Sequence, residues 1–234
     1  METDKKILIE LRGIQKVYPH KGFSVRALDD ITLKIFKGAF LGIIGRSGSG
    51  KTTLLNLIGM LDKPTTGEIR FDGEVLNQIS DRGLAILRRK KLGFVFQTFN
   101  LLPSLTVVEN VESALIHSQL SKEQIENKIS SLLDDLDLAD LADRLPLELS
   151  VGQRQKVAMA RAIVKEPTLI IADEPIGEMD PIAGAEILNR LIELNKKSKI
   201  TLIIASHGTS LLLKADRTIF IKDGKLVSQK ESGY

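Results

Sequence analysis

Gly45-Arg46-Ser47-Gly48-Ser49-Gly50-Lys51-Thr52 sets three glycines, a lysine and a hydroxyl in the spacing G-x-x-x-x-G-K-[ST]. Glycines at that spacing let the backbone curl until several N–H groups converge on one anion. A helix opening at the end of the curl adds partial positive charge. Lys51 is then expected to reach the β- and γ-phosphates of a nucleoside triphosphate. The Thr52 hydroxyl is expected to ligate Mg²⁺, with Thr53 beside it for a further phosphate oxygen. A second stretch, Leu169-Ile170-Ile171-Ala172-Asp173-Glu174, ends an apolar run on two carboxylates. Cleaving a phosphoanhydride needs a carboxylate by the metal and a group to orient water. Asp173 fits the metal shell, and Glu174 can accept a proton from an attacking water. The plainer alternatives are a flexible glycine turn and an acidic turn after a buried strand.

Elements of fixed type must position these groups. Ala39 to Ile44 is a continuous apolar run, as a fully buried strand requires, and Thr52 to Leu61 is helical in pattern. The loop at 45–52 therefore joins a strand to a helix, and the flexible-turn alternative loses ground. Ile7 to Leu11, Val25 to Leu28 and Ile31 to Phe36 read as short strands ahead of it. Glu68 to Val75 reads as a hairpin turning at Asp72-Gly73. From about Phe99 to Lys165 the pattern is helical. Capping boxes are expected at Thr106 with Glu109, Ser121 with Gln124 and Ser150 with Gln153. The helix from Ser150 runs to about Lys165, where Pro167 stops it. Strands return at Thr168 to Ala172 and Ile200 to Ser206. Between them Asp180 stands as an N-cap and Pro181 as a first helical residue. A last hairpin, Thr218 to Ser228, turns at Asp223-Gly224. No internal repeat or low-complexity linker interrupts this order, which predicts an α/β core with a helical insert.

Composition narrows the setting. The 234 residues are 43% apolar and 27% charged, with 33 basic against 30 acidic side chains and a net charge of +3. Only Arg88 to Lys91 forms a tight basic run, read as a solvated helix end rather than a nucleic-acid patch. The absence of cysteine excludes disulfides, thiol catalysis and zinc–thiolate sites. Met1 to Lys6 runs into strand-like Ile7 with no secretory leader visible. No apolar run approaches the roughly 20 residues that span a bilayer.

Leu149-Ser150-Val151-Gly152-Gln153 is more specific. With it the chain resembles the ATPase subunits of ATP-binding-cassette (ABC) transporters, whose signature is L-S-G-G-Q. The resemblance keeps order over nearly the whole chain: Tyr18, the loop at 45–52, Gln97, the signature, Asp173-Glu174, Asp180 and His207. It implies a P-loop NTPase (RecA-like) α/β core with N-terminal antiparallel β strands and a helical subdomain inserted at about 99–165. Residues 1–234 would then form one ATPase domain. It also implies roles. Tyr18 is similar to the aromatic that stacks on adenine. Gln97 resembles the residue that contacts Mg²⁺ and the attacking water. His207 resembles the switch histidine on the γ-phosphate, and Asp180 the aspartate connecting the two sites of a dimer. Singly, Tyr18 reads equally as packing, Asp180 as a helix cap and His207 as a structural histidine.

The resemblance further implies partners. Ser150, Gly152 and Gln153 would face the γ-phosphate held by a second copy of the chain, so that ATP is sandwiched in a head-to-tail dimer. A separate integral-membrane transporter subunit would be driven by that dimer, and would hold the chain at the cytoplasmic face of the membrane. No nucleic acid is expected. Two positions depart from the family pattern. Val151 replaces a glycine and, being β-branched, must adopt helical angles; Glu178 puts an acid in the dimer-contact loop. Arg26 to Asp30, Leu54 to Gly59, Phe94 to Gln97 and Asn100 to Pro103 resemble the lipoprotein-releasing and macrolide-exporting branch. Phe99 to Leu105 is apolar where such ATPases receive a short helix of the membrane subunit, with core packing at the boundary of the insert as the plainer alternative. A regulator of a membrane complex, or a soluble cassette acting on nucleic acid, remain as alternatives.

Overall fold

The computed structural model describes residues 6–208 and 214–233. The leader-free reading of Met1 to Lys6 falls, except for Lys6, outside the described residues. The chain opens with two long antiparallel strands, β1 (Ile7–His20) and β2 (Phe23–Phe36). The sequence predicts three short strands here, because only the inner half of the hairpin carries buried apolar residues. Around Pro19 to Val25 both faces are exposed, so backbone pairing continues with no hydrophobic period to announce it.

β3 (Phe40–Ile44) is buried at every position and leads through the glycine loop into α1 (Lys51–Ile58). α1 ends at Ile58, with Gly59 as its C-cap, short of the expected Leu61. A Cβ at Gly59 would lie 2.7 Å from the Phe94 ring. β4 (Thr66–Phe71) and β5 (Glu74–Val75) form the expected hairpin, with Asp72 and Gly73 both at positive φ. These strands complete a four-stranded antiparallel sheet in the order β2-β1-β4-β5.

α2 (Asp81–Lys91) starts at the Ser80 cap and carries Arg88 to Lys91 in its last turn. Cations there complement the helix dipole, and Arg88 also donates to the Met60 carbonyl. The basic run is thus a helix end, as expected. β6 (Leu92–Phe96) follows. The helical segment then supplies α3 (Val107–Glu112), α4 (Lys122–Asp135) and α5 (Val151–Ile163). All three anticipated capping boxes form, and Val151 takes the first helical position without positive φ. β7 (Leu169–Asp173), α6 (Pro181–Ser198) and β8 (Thr201–Ser206) alternate as expected, with Asp180 capping α6. β9 (Arg217–Lys222), β10 (Lys225–Val227) and the short α7 (Gln229–Ser232) end the chain. The sequence reading did not anticipate α7.

The second sheet runs β10-β9-β3-β8-β7-β6, parallel throughout except at β10. One face packs with α1 against the antiparallel sheet, through residues such as Leu54, Ile43 and Ile203. The other packs under α5, α6 and the helical segment. There Val107, Leu133, Val157 and Leu188 share one cluster with Phe40, Ile170 and Ile204. Each fully buried aliphatic contributes about 1.5–3 kcal/mol. Strands covered on both faces explain why the central runs lack polar alternation.

Candidate functional site

Four parallel strands deliver the candidate residues from their carboxyl ends: β3 into Gly45, β6 into Gln97, β7 into Asp173 and β8 into His207. Ligands of open α/β sheets bind outside that edge. An open cleft of about 920 Å³ lies there. Arg46, Ser47, Gly48, Gly50, Lys51, Thr52 and Thr53 line it from the loop and α1. Gln97, Asp173, Glu174 and His207 line it from the other strand ends. Gly45 and Ser49 are buried behind the loop.

The loop needs its glycines at two places in particular. A Cβ on Gly45 would meet the Ser49 hydroxyl at 2.4 Å and the Ile221 carbonyl at 2.5 Å. Gly50 sits at φ 110 with the Ala27 carbonyl 2.7 Å from where a Cβ would be. Gly50 is also the N-cap of α1, and it has no side chain to satisfy the first N–H groups of the helix. Helices α2 to α7 all have a side-chain cap, from Ser80, Thr106, Ser121, Ser150, Asp180 and Ser228. The helix whose N–H groups are left for an outside anion is thus the one that opens on the cleft.

Charge in the cleft is arranged around one contact. The Thr52 hydroxyl donates to Asp173 Oδ2 at 2.7 Å, joining groups 121 residues apart. Asp173 Oδ1 is buried without a hydrogen-bond partner among the described residues, as is Ser49 Oγ. Burial pushes the Asp173 carboxyl above its ordinary range. The Thr52 hydrogen bond opposes this, the Glu174 charge adds to it and Lys51 opposes it. A hydroxyl beside a carboxylate with a spare buried oxygen suits a hard, oxygen-seeking cation. Mg²⁺ is held in this manner, by one or two carboxylates plus substrate phosphates.

Lys51 donates to the Gly45 carbonyl at 2.7 Å and the Arg46 carbonyl at 3.2 Å, with Glu174 Oε1 at 3.4 Å. Glu174 Oε2 lies 2.9 Å from His207 Nδ1 and 3.3 Å from the His207 backbone nitrogen, which donates to it. An ionised carboxylate only accepts, so Nδ1 carries the proton of this pair. Glu174 itself adopts φ 48. A non-glycine residue there carries strain of roughly 1–3 kcal/mol, and such strain gathers at functional sites.

The remaining sequence candidates lie outside the cleft lining. Ser150 and Gln153 bond each other's backbone nitrogens at the start of α5, and Gly152 packs near Met179. Asp180 accepts from Ile182 and Ala183 as the α6 cap. Tyr18 is 36% exposed at the outer end of β1. Its hydroxyl donates to Asp62 at 2.8 Å, and Lys16 covers its ring at 4.8 Å.

Two features escaped sequence reading. Val25, Arg26, Ala27 and the Asp223-Gly224 turn form a wall of the cleft; the sequence reads them as strand, turn and, for Arg26 and Ala27, part of the branch resemblance, and not as site residues. Gln155, fully buried on α5, donates to the Pro175 carbonyl at 2.6 Å and to the Phe96 carbonyl at 3.4 Å. It braces the backbone beside Glu174 and beside Gln97, past the point where β6–β7 pairing ends at Phe96 and Asp173. A buried glutamine two residues beyond the signature was the available signal.

A buried strand, a glycine-rich turn and a helix, facing a carboxylate on a second parallel strand, define a P-loop nucleotide-binding fold. Comparison with known proteins narrows the class. Residues 28–177 match the family model described as ABC transporter. ABC transporter H family member 2 of Dictyostelium discoideum is 41% identical over 226 residues, covering 96% of this chain and 44% of that protein. The macrolide export ATP-binding/permease protein MacB of Syntrophobacter fumaroxidans is 41% identical over 228 residues, covering 97% of this chain and 32% of MacB. This chain therefore spans less than half the length of those two. MJ0796 of Methanocaldococcus jannaschii, an uncharacterized ABC transporter ATP-binding protein, is 40% identical over 228 residues, with 96% of this chain and 97% of that one covered. A dimeric post-hydrolysis structure of the MJ0796 cassette with ADP and Pi superposes with a TM-score of 0.89 at 38% identity, covering 94% and 97% of the two chains. The chain belongs to the ABC transporter family and is an ATP-binding cassette.

Proposed function

We propose that this chain hydrolyses ATP with Mg²⁺ and passes the work to a separate membrane subunit through ATP-dependent pairing of two copies. The observation that carries the reading is the 2.7 Å contact of Thr52 with Asp173, flanked by Lys51 and Glu174. It brings a phosphate cradle, a metal ligand pair and a base to one cleft. Bound Mg²⁺ would neutralise charge on the phosphates, held by Thr52, Asp173 and Gln97. Loop N–H groups and Lys51 orient the triphosphate. Glu174 takes the proton of the attacking water, and His207 holds Glu174 through Nδ1. Tyr18 stacks on adenine in this reading, with its hydroxyl anchored by Asp62.

Ser150, Gly152, Gln153 and Asp180 are outside the cleft lining, which fits their use by a second copy. The MJ0796 dimer supports that geometry by similarity. The MacB likeness supports a macrolide-export or lipoprotein-release type of partner, and with it a place at the cytoplasmic face of a membrane. Among the described residues no helix is long and apolar enough to cross one. We read residues 1–234 as one domain, with 99–165 as its inserted helical part; their shared core with the sheet supports this.

Sedimentation of wild type and Glu174→Gln, each with and without Mg-ATP, tests the reading alongside phosphate release. Loss of a general base typically lowers rate by about 10²–10⁴. The expected result is a slow variant that still binds ATP and stays dimeric with it. Near-normal turnover by Glu174→Gln would refute the base, and monomers in every condition would refute the self-pairing.

A further inference from the structure

Gln97 is half-buried at the end of β6, and its side chain faces two ways. It lines the cleft, and its amide nitrogen donates to Glu178 Oε1 at 2.9 Å. Glu178 itself is exposed and does not line the cleft. An amide has a donor end and an acceptor end, whereas a carboxylate only accepts. Glu178 therefore fixes which end of Gln97 is which: the NH₂ must face the carboxylate, and Oε1 is the atom left over. Only that oxygen can ligate a hard cation.

The loop holding Glu178 is built to make this contact. Gly177 donates its backbone N–H to the Glu174 carbonyl at 3.0 Å, and Met179 donates to Ile176 at 3.2 Å, so two successive turns fix residues 174–179. At Gly177 a Cβ would lie 3.2 Å from Gln97 Nε2 and 3.5 Å from its Cδ. That spacing is tight, and the bare glycine lets the amide lie against the loop. Asp180 then anchors the far end of the loop as the α6 cap.

We propose that Glu178 is a positioning residue that orients the Gln97 amide with its oxygen available to the Mg²⁺ of the bound nucleotide. This rests on the reading that the cleft binds Mg-ATP, and it gives the acid at position 178 a task inside its own subunit. The contact is exposed on the Glu178 side, so substitutions there leave the fold intact. Three of them separate orientation from charge. Glu178→Gln removes the charge and can still accept from Gln97, but its own NH₂ also permits the reverse pairing, so it weakens the orienting effect by about 2-fold at most. Glu178→Ala removes both. Glu178→Lys offers only donors and turns the Gln97 oxygen away from the cleft.

The measurement is the affinity for a fluorescent ATP analogue with Mg²⁺ and with EDTA, on intact chains, the ratio giving the metal's contribution without reference to turnover. Compared with wild type, Glu178→Lys should lose roughly 3- to 10-fold of that ratio, and Glu178→Ala somewhat less. Glu178→Gln should stay within about 2-fold, and metal-free affinity should be unchanged in all three. Those sizes match one charge-assisted hydrogen bond discounted for exposure. Equal loss in Glu178→Gln and Glu178→Ala would mean that charge alone acts, and the orienting role would be wrong. An unchanged or increased ratio in Glu178→Lys overturns it too. Asp173→Asn is the control for the underlying reading. A flat ratio in wild type defeats Mg-ATP binding at the cleft. A ratio that Asp173→Asn abolishes and the Glu178 variants leave alone defeats only this inference.

Discussion

Asp173→Asn should stabilise the nucleotide-free protein while removing its response to magnesium. Asparagine keeps the volume and can still accept the Thr52 hydroxyl through Oδ1. What it removes is a charge whose net environment is unfavourable. Burial and Glu174 outweigh Thr52 and Lys51, so the folded carboxyl titrates above its ordinary value of 3.8. Between 3.8 and that raised value the folded state binds more protons than the unfolded state. Stability therefore falls as pH rises through the window, and the penalty is fully present above the raised value. The partly compensated buried charge costs about 1 kcal/mol, while the unpaired position passes to the asparagine NH₂ without gain; in a chain of this size the relief moves Tm by roughly 2–4 °C. Thermal unfolding followed by circular dichroism in EDTA at pH 7.5 should place the variant above wild type by that margin. The difference should shrink as pH is lowered through the raised value toward 3.8, because the wild-type carboxyl then takes up its proton in the folded state. Added Mg-ATP should then reverse the order, because binding to the folded state alone stabilises it. A variant less stable than wild type in EDTA at pH 7.5 would show that the Thr52–Asp173 bond is a structural brace. The case for a site poised for a cation would then fail.

Two further substitutions probe the surroundings of the cleft. Gln155→Met removes the brace on Pro175 and Phe96 but also the unpartnered Gln155 Oε1. Two costs of about 1–3 kcal/mol then oppose each other. Tm should stay within about 4 °C while kcat for ATP falls on the order of 10-fold and affinity holds; unchanged kcat would leave Gln155 a packing residue. Lys165, beside Arg161, has its amine pushed down to about 8, chiefly by burial and then by the Arg161 charge. The unfolded chain keeps that proton up to about 10.4, so the penalty holds below pH 8 and is relieved as pH rises beyond it. Lys165→Met should raise Tm by roughly 2–4 °C at pH 7, after discounting for partial exposure. Its advantage should narrow by pH 9.5, and a gap independent of pH would point to packing instead.

What the sequence discloses and what it withholds divide along physical lines. Helix starts are local, so Ser150 with Gln153 or Asp180 before Pro181 can be read from neighbours three residues apart, and the structure bears them out. Buried strands announce themselves through unbroken apolar runs, as β3 and β8 do. The outer half of the β1–β2 hairpin has no such signal, because backbone pairing there is not accompanied by burial. The glycine loop was legible since its residue types are dictated by backbone shape. The cleft wall at Val25 to Ala27 and Asp223-Gly224 was not. Those residues meet the loop only through sheet order, with β9 beside β3 and the backbone N–H of Asp29 donating to the Gly224 carbonyl at 2.9 Å. Glu178 was visible as a misfit in a familiar pattern. Its partner, Gln97, lies 81 residues away, beyond the reach of any local rule.

The distribution of cost across the molecule bears on how the site would work. Six helices are capped by their own side chains and the central strands are sealed on both faces. One edge of the parallel sheet combines several local costs: an uncapped α1, an unpartnered Asp173 Oδ1 and Ser49 Oγ, and Glu174, one of ten non-glycine residues at positive φ among the described residues. Each is worth on the order of 1 kcal/mol against folding, and the interior can offset them. In the proposed reading a triphosphate with its metal would supply acceptors for the α1 N–H groups and a cation for Asp173, coupling occupancy to local order. The signature residues on α5 cannot complete that environment within the same cleft, because Ser150 and Gln153 are committed to their own helix start outside it. In the proposed reading the γ-phosphate side is left to a second copy, whose α5 capping box uses the Ser150 and Gln153 N–H groups and leaves those of Val151 and Gly152 as donors.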